Sequence, residues 1–267
     1  MTVPKPLAAT RVRQHTGAMK LPSLALYVLL VANTAAAPIA DDFRHGLSRW
    51  RVEAQVPARV VAQGGEMEID AREGVTVWLK HRLDAPVRIA FDAMAVARGG
   101  PNDAVSDVNA FWMAHEPDGT GPRIRSGTFE DYDTLATYYV GIGGNRNTST
   151  RMRRYVGRAG ERPLLPEHDR ADPPALLRAN TWTHIALVAD GRRAVVIRDG
   201  CVLFVLADAA PYASGWFGVR TTRSHLRVTN LRIDAHVDVS DMPHCPAPSP
   251  VPGRPGAPAS RPAGAMP

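Results

Sequence analysis

The run WTHIALVADGRRAVVIRDGCVLFVLAD, residues 182–208, narrows most sharply what this chain can become. Three short segments rich in Val, Ile, Leu and Phe are separated by Asp190-Gly191 and Asp199-Gly200. Asp-Gly supplies the positive φ of a tight hairpin turn, so the run reads as strand, turn, strand, turn, strand. The same period of two recurs at 66–70, 75–83, 87–96, 108–115, 137–144, 148–156, 216–222 and 226–233. No stretch of helical length keeps an amphipathic pattern, apart from a turn around 173–178. Short β-rich runs punctuated by Gly and Pro predict an all-β fold, an antiparallel β-sandwich in one domain.

The two ends of the chain read differently from its middle. From Met19 the sequence runs through one Lys and the apolar stretch Leu21–Val31 to Ala35, Ala36 and Ala37. That is the pattern of a secretory signal. Residues 1–37 are therefore expected to be a signal region, with Met19 as a candidate true start, and the mature protein to be periplasmic or secreted. Lys5, Arg11, Arg13 and Lys20 precede the first acidic residue, Asp41, so removing them takes the formal charge from +6 to +2. No basic stripe survives to hold nucleic acid, and no second apolar segment would keep the processed chain in a membrane. The sandwich is expected over 39–239. Residues 240–267 are dominated by Pro, Ala and Gly and have little to bury, which predicts a disordered tail. The two cysteines, Cys201 in a hairpin strand and Cys245 in that tail, form a candidate disulfide in an exported chain.

Four runs carry a resemblance: SDVNAFWMA (106–114), YDTLATYYVGIGGNRNTSTRMRRY (132–155), RPLLPEHD (162–169) and GWFGVRTTRSHLRV (215–228). They resemble an uncharacterised family of exported bacterial concanavalin A-like domains, jelly rolls of the lectin and glucanase type. Related architectures occur with pectin and rhamnogalacturonan degradation. The resemblance implies a sheet with a concave face that takes a carbohydrate, and it assigns no catalytic residue.

Strand parity sorts that face from the core. Tyr138, Val140, Ile142, Met152, Val156, Phe217 and Val219 form the inward set. Tyr139, Gly141, Gly143, Arg151, Arg153, Tyr155, Trp216, Gly218, Arg220 and Thr222 face the other way, the glycines leaving room for a ligand. Aromatic rings stack on pyranose faces and Arg pairs bidentately with carboxylates, so the mixture suits a polysaccharide or oligosaccharide containing uronate. Asn145 and Asn147, in the connection 143–148, either bind sugar hydroxyls or satisfy the turn. Candidate acid–base groups are Tyr139, Tyr155, Glu167, His168 and His225. Arg151, Arg153, Asn145, Asn147, Trp216 and Arg220 are candidate substrate contacts.

These groups fit a lyase better than a hydrolase, which needs two carboxyl groups across the glycosidic bond. Glu68, Asp70 and Glu73 have the letters of a glucanase motif. Arg72 interrupts their alternation and Gly74 is expected to end the strand, so they read as solvated charges on an edge strand. No zinc cluster, phosphate loop or serine elbow is present, and no cofactor is implied. Asn102, Asp103, Asp107 and Asn109 are candidate oxygens for a structural Ca²⁺, but without ordered ligand spacing they read as a polar loop. Two competing classes remain: a non-catalytic carbohydrate-binding module and a structural envelope protein.

Overall fold

The computed structural model of this chain describes residues 38–235 and 238–246. The expected signal region and the tail beyond residue 246 lie outside the described residues. Fourteen strands run in order: β1 (Ile39–Asp41), β2 (Trp50–Ala54), β3 (Arg59–Gln63), β4 (Glu66–Leu79), β5 (Leu83–Asp84), β6 (Val87–Ala95), β7 (Val108–His115), β8 (Ala136–Gly143), β9 (Ser149–Val156), β10 (Asp169–Arg170), β11 (Thr183–Ala189), β12 (Arg193–Arg198), β13 (Cys201–Ala207) and β14 (Ser214–Asp234). Every named strand pairing is antiparallel, as the alternation predicted. The result is a curled, jelly-roll-like sheet with a β-sandwich core. No helix among the described residues is long and apolar enough to cross a membrane.

Strand β14 joins the two layers. Its first half pairs with β7 and its second half with β6, while β4 lies along its opposite edge from Gly218 to Val228. Two segments expected as separate strands, 216–222 and 226–233, are thus one strand interrupted by a bulge between Thr222 and Ser224. There Arg223, at φ 52°, stands opposite two residues of β4, Arg72 and Glu73. Across this bulge the core-facing parity of β14 changes, from Phe217 and Val219 to Leu226 and Val228.

Strand β4 is likewise continuous through Gly74, where the sequence suggested an end. A Cβ at Gly74 would sit 2.3 Å from the carbonyl oxygen of Gly127. Gly74 is therefore a point of close backbone approach rather than a strand terminator. Nor is β4 an edge strand, since β14 flanks one side and β2 and β3 the other.

The core lies between the layers and takes the side chains that parity assigned to it except Val156, which is half-buried at the end of β9. Tyr138, Val140, Ile142, Met152, Phe217 and Val219 are all buried there. Phe91 packs against Phe217 at 5.6 Å and Trp112 against Tyr138 at 5.4 Å. At the chain's entry, Asp41 accepts from the backbone N–H of Phe43 at 2.9 Å and from Trp50 Nε1 at 2.8 Å.

The two Asp-Gly turns differ. Asp199 and Gly200 occupy φ 47° and 84° between the paired residues Arg198 and Cys201, the two positive values a type I′ turn needs. At the first turn Asp190 instead closes onto Arg193 and its carboxylate accepts from the amides of Arg192 and Arg193, with Gly191 at φ 88°.

Residues 240–246 depart from the expectation of an unfolded tail. Cys245 is bonded to Cys201, with Cα atoms 4.9 Å apart. The backbone beside it hydrogen-bonds to both sides of Val202. Val239 and Met242 cover the apolar outer patch of Ala186, Val188, Val195 and Ile197. Replacing Cys245 by Ser opens a cross-link spanning 44 residues of sequence. It should lower stability by about 2–4 kcal/mol, measured by urea unfolding, with faster proteolysis after residue 235.

Candidate functional site

Register lines the candidate side chains up in two rows across the sheet. One row runs Arg151, Gly141, Asn109, Arg220, Thr76, Glu53 from β9 to β2. The next runs Arg153, Tyr139, Phe111, Gly218, Trp78, Arg51 along the same strands. Parity therefore placed Tyr139, Arg151, Arg153, Trp216 and Arg220 on one face.

That face is not an open trough. Residues 116–135 form a strap across the part of it near Trp78 and Arg220. Phe129, Tyr132 and Leu135 of the strap pack on Trp78, Phe111, Tyr139 and Tyr155 in a second hydrophobic cluster. Phe111 stacks on Tyr132 at 5.3 Å and on Trp78 at 5.5 Å.

Polar groups beneath the strap bolt it down. Buried Glu53 accepts from Tyr132 Oη at 2.7 Å and Trp78 Nε1 at 3.0 Å, and pairs with Arg51 at 3.0 Å. Arg220, 1% exposed, donates to Thr76 Oγ1 and to the Gly127 carbonyl, each at 2.9 Å. Its guanidinium lies 4.9 Å from the Tyr132 ring centre and 5.1 Å from that of Phe129. Burial pushes its pKa down. At the strap's start, Glu116 pairs with Arg125 at 2.8 Å and accepts from the Arg123 amide. Burial acts to raise the Glu116 carboxyl, but Arg125 and Arg123 together hold it below its ordinary value of 4.5.

What remains open is a cavity of about 770 Å³ beside the strap. Its lining includes Asp107, Asn109, Phe129, Tyr139, Arg151 and Arg153, with Asn145, Arg146 and Arg223 at the edges. Among its lining residues, four arginines face one carboxylate, Asp107. Burial raises the Asp107 carboxyl above its ordinary value and holds the Tyr139 phenol well above its own. Asn109 is 3% exposed and its Oδ1 has no hydrogen-bond partner among the described residues.

Gly141 is needed for this floor, though not as expected. A Cβ there would lie 2.8 Å from the Tyr139 hydroxyl and 3.0 Å from Asn109 Oδ1. The room left by the missing side chain is taken by the site's own polar atoms. At Gly143 it is taken by Leu177 and Asn147, with φ at 66°.

Residues 69–231 match the family described as a domain of unknown function, DUF6250. The chain belongs to this family. No curated protein matches it. Among solved structures, it is similar to a protein of unknown function with a galectin-like fold from Bacillus subtilis. That likeness has a TM-score of 0.61 at 13% identity, over 75% of this chain and 97% of that one. The Ca²⁺-bound exoplasmic/lumenal domain of VIP36 follows at 0.51 and 8% identity, covering 78% of this chain and 95% of that one. The metal-free carbohydrate recognition domain of Emp46p gives 0.50 and 12%, over 74% and 93%. At such identities these likenesses describe the fold.

The DUF6250 chain brings Tyr139, Asn145, Arg151 and Arg153 to one cavity and leaves the other acid–base and substrate-contact candidates outside it. Tyr155 is fully buried under the strap. Arg220 lies beneath it, and half-buried Trp216 packs against Gly121 at its far side. His168 is buried against Phe204, its Nε2 3.0 Å from the Val205 carbonyl, with Glu167 exposed beside it. Asn147 pairs both ways with the backbone of Leu177, at 2.8 and 3.0 Å. It thereby holds a left-handed turn in which Asn145, Arg146 and Asn147 all have positive φ.

His225 sits between Asp103 at 2.8 Å and Glu68 at 2.9 Å, in a separate cavity. The glucanase-like acids are paired rather than solvated: Glu68 with Arg59, Glu73 with Arg223, and Asp70 with Asn102. The calcium candidates do not converge either. Asn102 turns to Asp70 and Asp103 to His225 and backbone amides, while Asp107 and Asn109 line the arginine cavity. Among the described residues no group of three His, Cys, Asp or Glu is arranged to hold a metal ion.

Sequence reasoning weighed Asp107 and Asn109 only as calcium donors and overlooked Phe129, Arg146 and Arg223. Asn109 had a usable signal, since it alternates with Phe111 on a strand whose even positions are core.

Two outcomes test the strap. Tyr132→Phe strips a donor from the buried Glu53 carboxylate and should cost about 1.5–3 kcal/mol, read by urea unfolding. The Glu116 contribution is whole above pH 4.5 and is lost as pH falls through its lowered value. Cleavage within 117–131 should therefore rise on acidification, and Arg125→Ala should remove most of that pH dependence.

Proposed function

We propose that this DUF6250 protein is an exported carbohydrate-active protein that takes an acidic, uronate-containing glycan into the arginine-lined cavity and cleaves it by β-elimination. The observation that carries the reading is the cluster of four guanidinium groups lining a single cavity, of which Arg151 and Arg223 are paired to Asp169 and Glu73 while Arg146 and Arg153 make no salt bridge among the described residues. Arg151 and Arg153 lie on neighbouring positions of one strand face, where two guanidinium forks can share one sugar carboxylate. Phe129 and Tyr139 give the same cavity apolar surface for a pyranose ring. Hydrolysis by a carboxyl pair needs two acids across the bond, and the lining supplies one. The Cys201–Cys245 disulfide suits an oxidising compartment, in keeping with the signal-like segment.

A second reading, binding without turnover, is favoured by the Tyr139 hydroxyl. Burial raises its pKa, which unfits it to act as a base. Affinity electrophoresis and product absorbance separate the two readings. The chain should be retarded by polygalacturonate or glucuronan and not by neutral glucans, and retardation should weaken with added salt. Arg151→Ala and Arg153→Ala should each lower affinity by about tenfold. Unsaturated-uronate absorbance marks the lyase, and retention without it marks the binding module. Equal retention by neutral glucans would overturn the charge argument.

A further inference from the structure

Resting on that uronate reading, we propose that Asp107 is the catalytic proton acceptor of the elimination, with the Tyr139 hydroxyl as proton donor to the departing oxygen. Asp107 stands one residue before β7, outside the strand alternation that identified the other candidates. Its backbone is left-handed, φ 57°, an unfavourable conformation for a residue with a side chain. It is held there by its own amide, which donates to the Gly143 carbonyl at 3.1 Å, and by Ser106 Oγ, which donates to the same carbonyl at 3.2 Å. That conformation leaves the carboxyl on the cavity wall, against Gly144.

The carboxyl also has no ion-pair partner among the described residues. Nearby Asp169 and Glu73 are closed by Arg151 and Arg223 at 2.8 and 3.0 Å. Asp107 makes no salt bridge among the described residues; the side chains of Asn109, at 3.4 Å, and Ser106 reach it, and the charge of Arg220 acts on it. Its neighbours carry unused capacity as well. Asn109 Oδ1 is a buried acceptor without a donor, and the Tyr139 hydroxyl has no hydrogen-bond partner among the described residues. An acceptor, a donor and an ionisable carboxyl thus meet over Gly141 and Gly144, next to the arginines that would hold the substrate's charge.

Burial moves both groups in the required direction. It raises Asp107 toward the range where a carboxylate is the stronger base, and it keeps the proton on Tyr139. With the uronate carboxylate on Arg151 and Arg153, the C5–H bond breaks and its proton passes to Asp107. The electron pair becomes the C4=C5 double bond. The C4–O bond then breaks, and the departing oxygen takes the Tyr139 proton. The products are an unsaturated uronate and a free sugar hydroxyl. The Asp107 carboxylic acid returns a proton to the Tyr139 phenolate through water, so no other reactant is consumed.

The test uses the full chain with polygalacturonate and glucuronan as probes. Turnover is followed by absorbance, and exchange at C5 by deuterium uptake from D₂O. Asp107→Asn keeps the shape and tolerates the left-handed backbone. It should lose about 100-fold or more in kcat, with KM changed by less than about threefold, and should incorporate no deuterium. Tyr139→Phe should lose turnover but still exchange the C5 proton, because its acceptor is intact. An Asp107→Asn chain that exchanges deuterium, or turns over within about tenfold of the unaltered protein, overturns the assignment while leaving the elimination reading in place. If the unaltered chain is retarded by both probes yet yields neither unsaturated product nor exchange, the elimination and the Asp107 assignment fall together.

Discussion

The hydrogen-bond ladder along β14 is the constraint on which the rest of the structure depends. This strand pairs with β7, then with β6, and with β4 along its other edge, so both layers of the sandwich are anchored to one segment. Its bulge at Arg223 lets it serve both layers. Before the bulge Phe217 and Val219 enter the core, and after it Leu226 and Val228 do. The parity change turns Arg220 and Thr222 on one side, and His225 and Arg227 on the other, toward the same concave face. Two cavities of different character result, one rich in arginine and one holding His225 between carboxylates.

The strap then decides how much of that face a ligand can reach. A concave sheet lined with Trp78, Phe111, Tyr139 and Tyr155 would expose a large apolar surface, and such surfaces are normally covered or used. Here residues 116–135 cover most of it. Burying Glu53 and Arg220 under the strap is costly unless their polar atoms are matched. Tyr132, Trp78 and Arg51 meet the first; Thr76, the Gly127 carbonyl and two aromatic faces meet most of the second, leaving Arg220 Nε without a hydrogen-bond partner among the described residues. Gly74 and Gly127 make the contact possible, because a side chain on either would strike backbone on the other segment. The cavity opens beside the strap, where Phe129 forms part of its lining.

Charge distribution gives the cavity its chemical direction. Rim acids are neutralised by rim arginines, whereas Arg220 is enclosed with no carboxylate partner among the described residues, and Asp107 is left single on the wall. On the proposed reading, the arginine forks would take the carboxylate of an acidic glycan and the unmatched Asn109 oxygen one of its hydroxyls.

Much of the fold was determined locally and was therefore legible in the residues. Side chains on a strand alternate, so Tyr138, Val140 and Ile142 had to part from Tyr139 and Gly141, and Asp199-Gly200 had to turn the chain within two residues. The shared face of Tyr139, Arg151 and Arg153 follows from the same rule. Tertiary structure alone decided which members of that face stay accessible. Residues 116–135 carry no period, and their place over Tyr155 and Arg220 depends on partners as distant in sequence as Glu53 and Thr76. The same holds for the cysteine pairing and for Asp107, whose position comes from a left-handed backbone beside Gly143. Alternation is a property of neighbouring residues, while burial and isolation are set by whatever the folded chain brings across them.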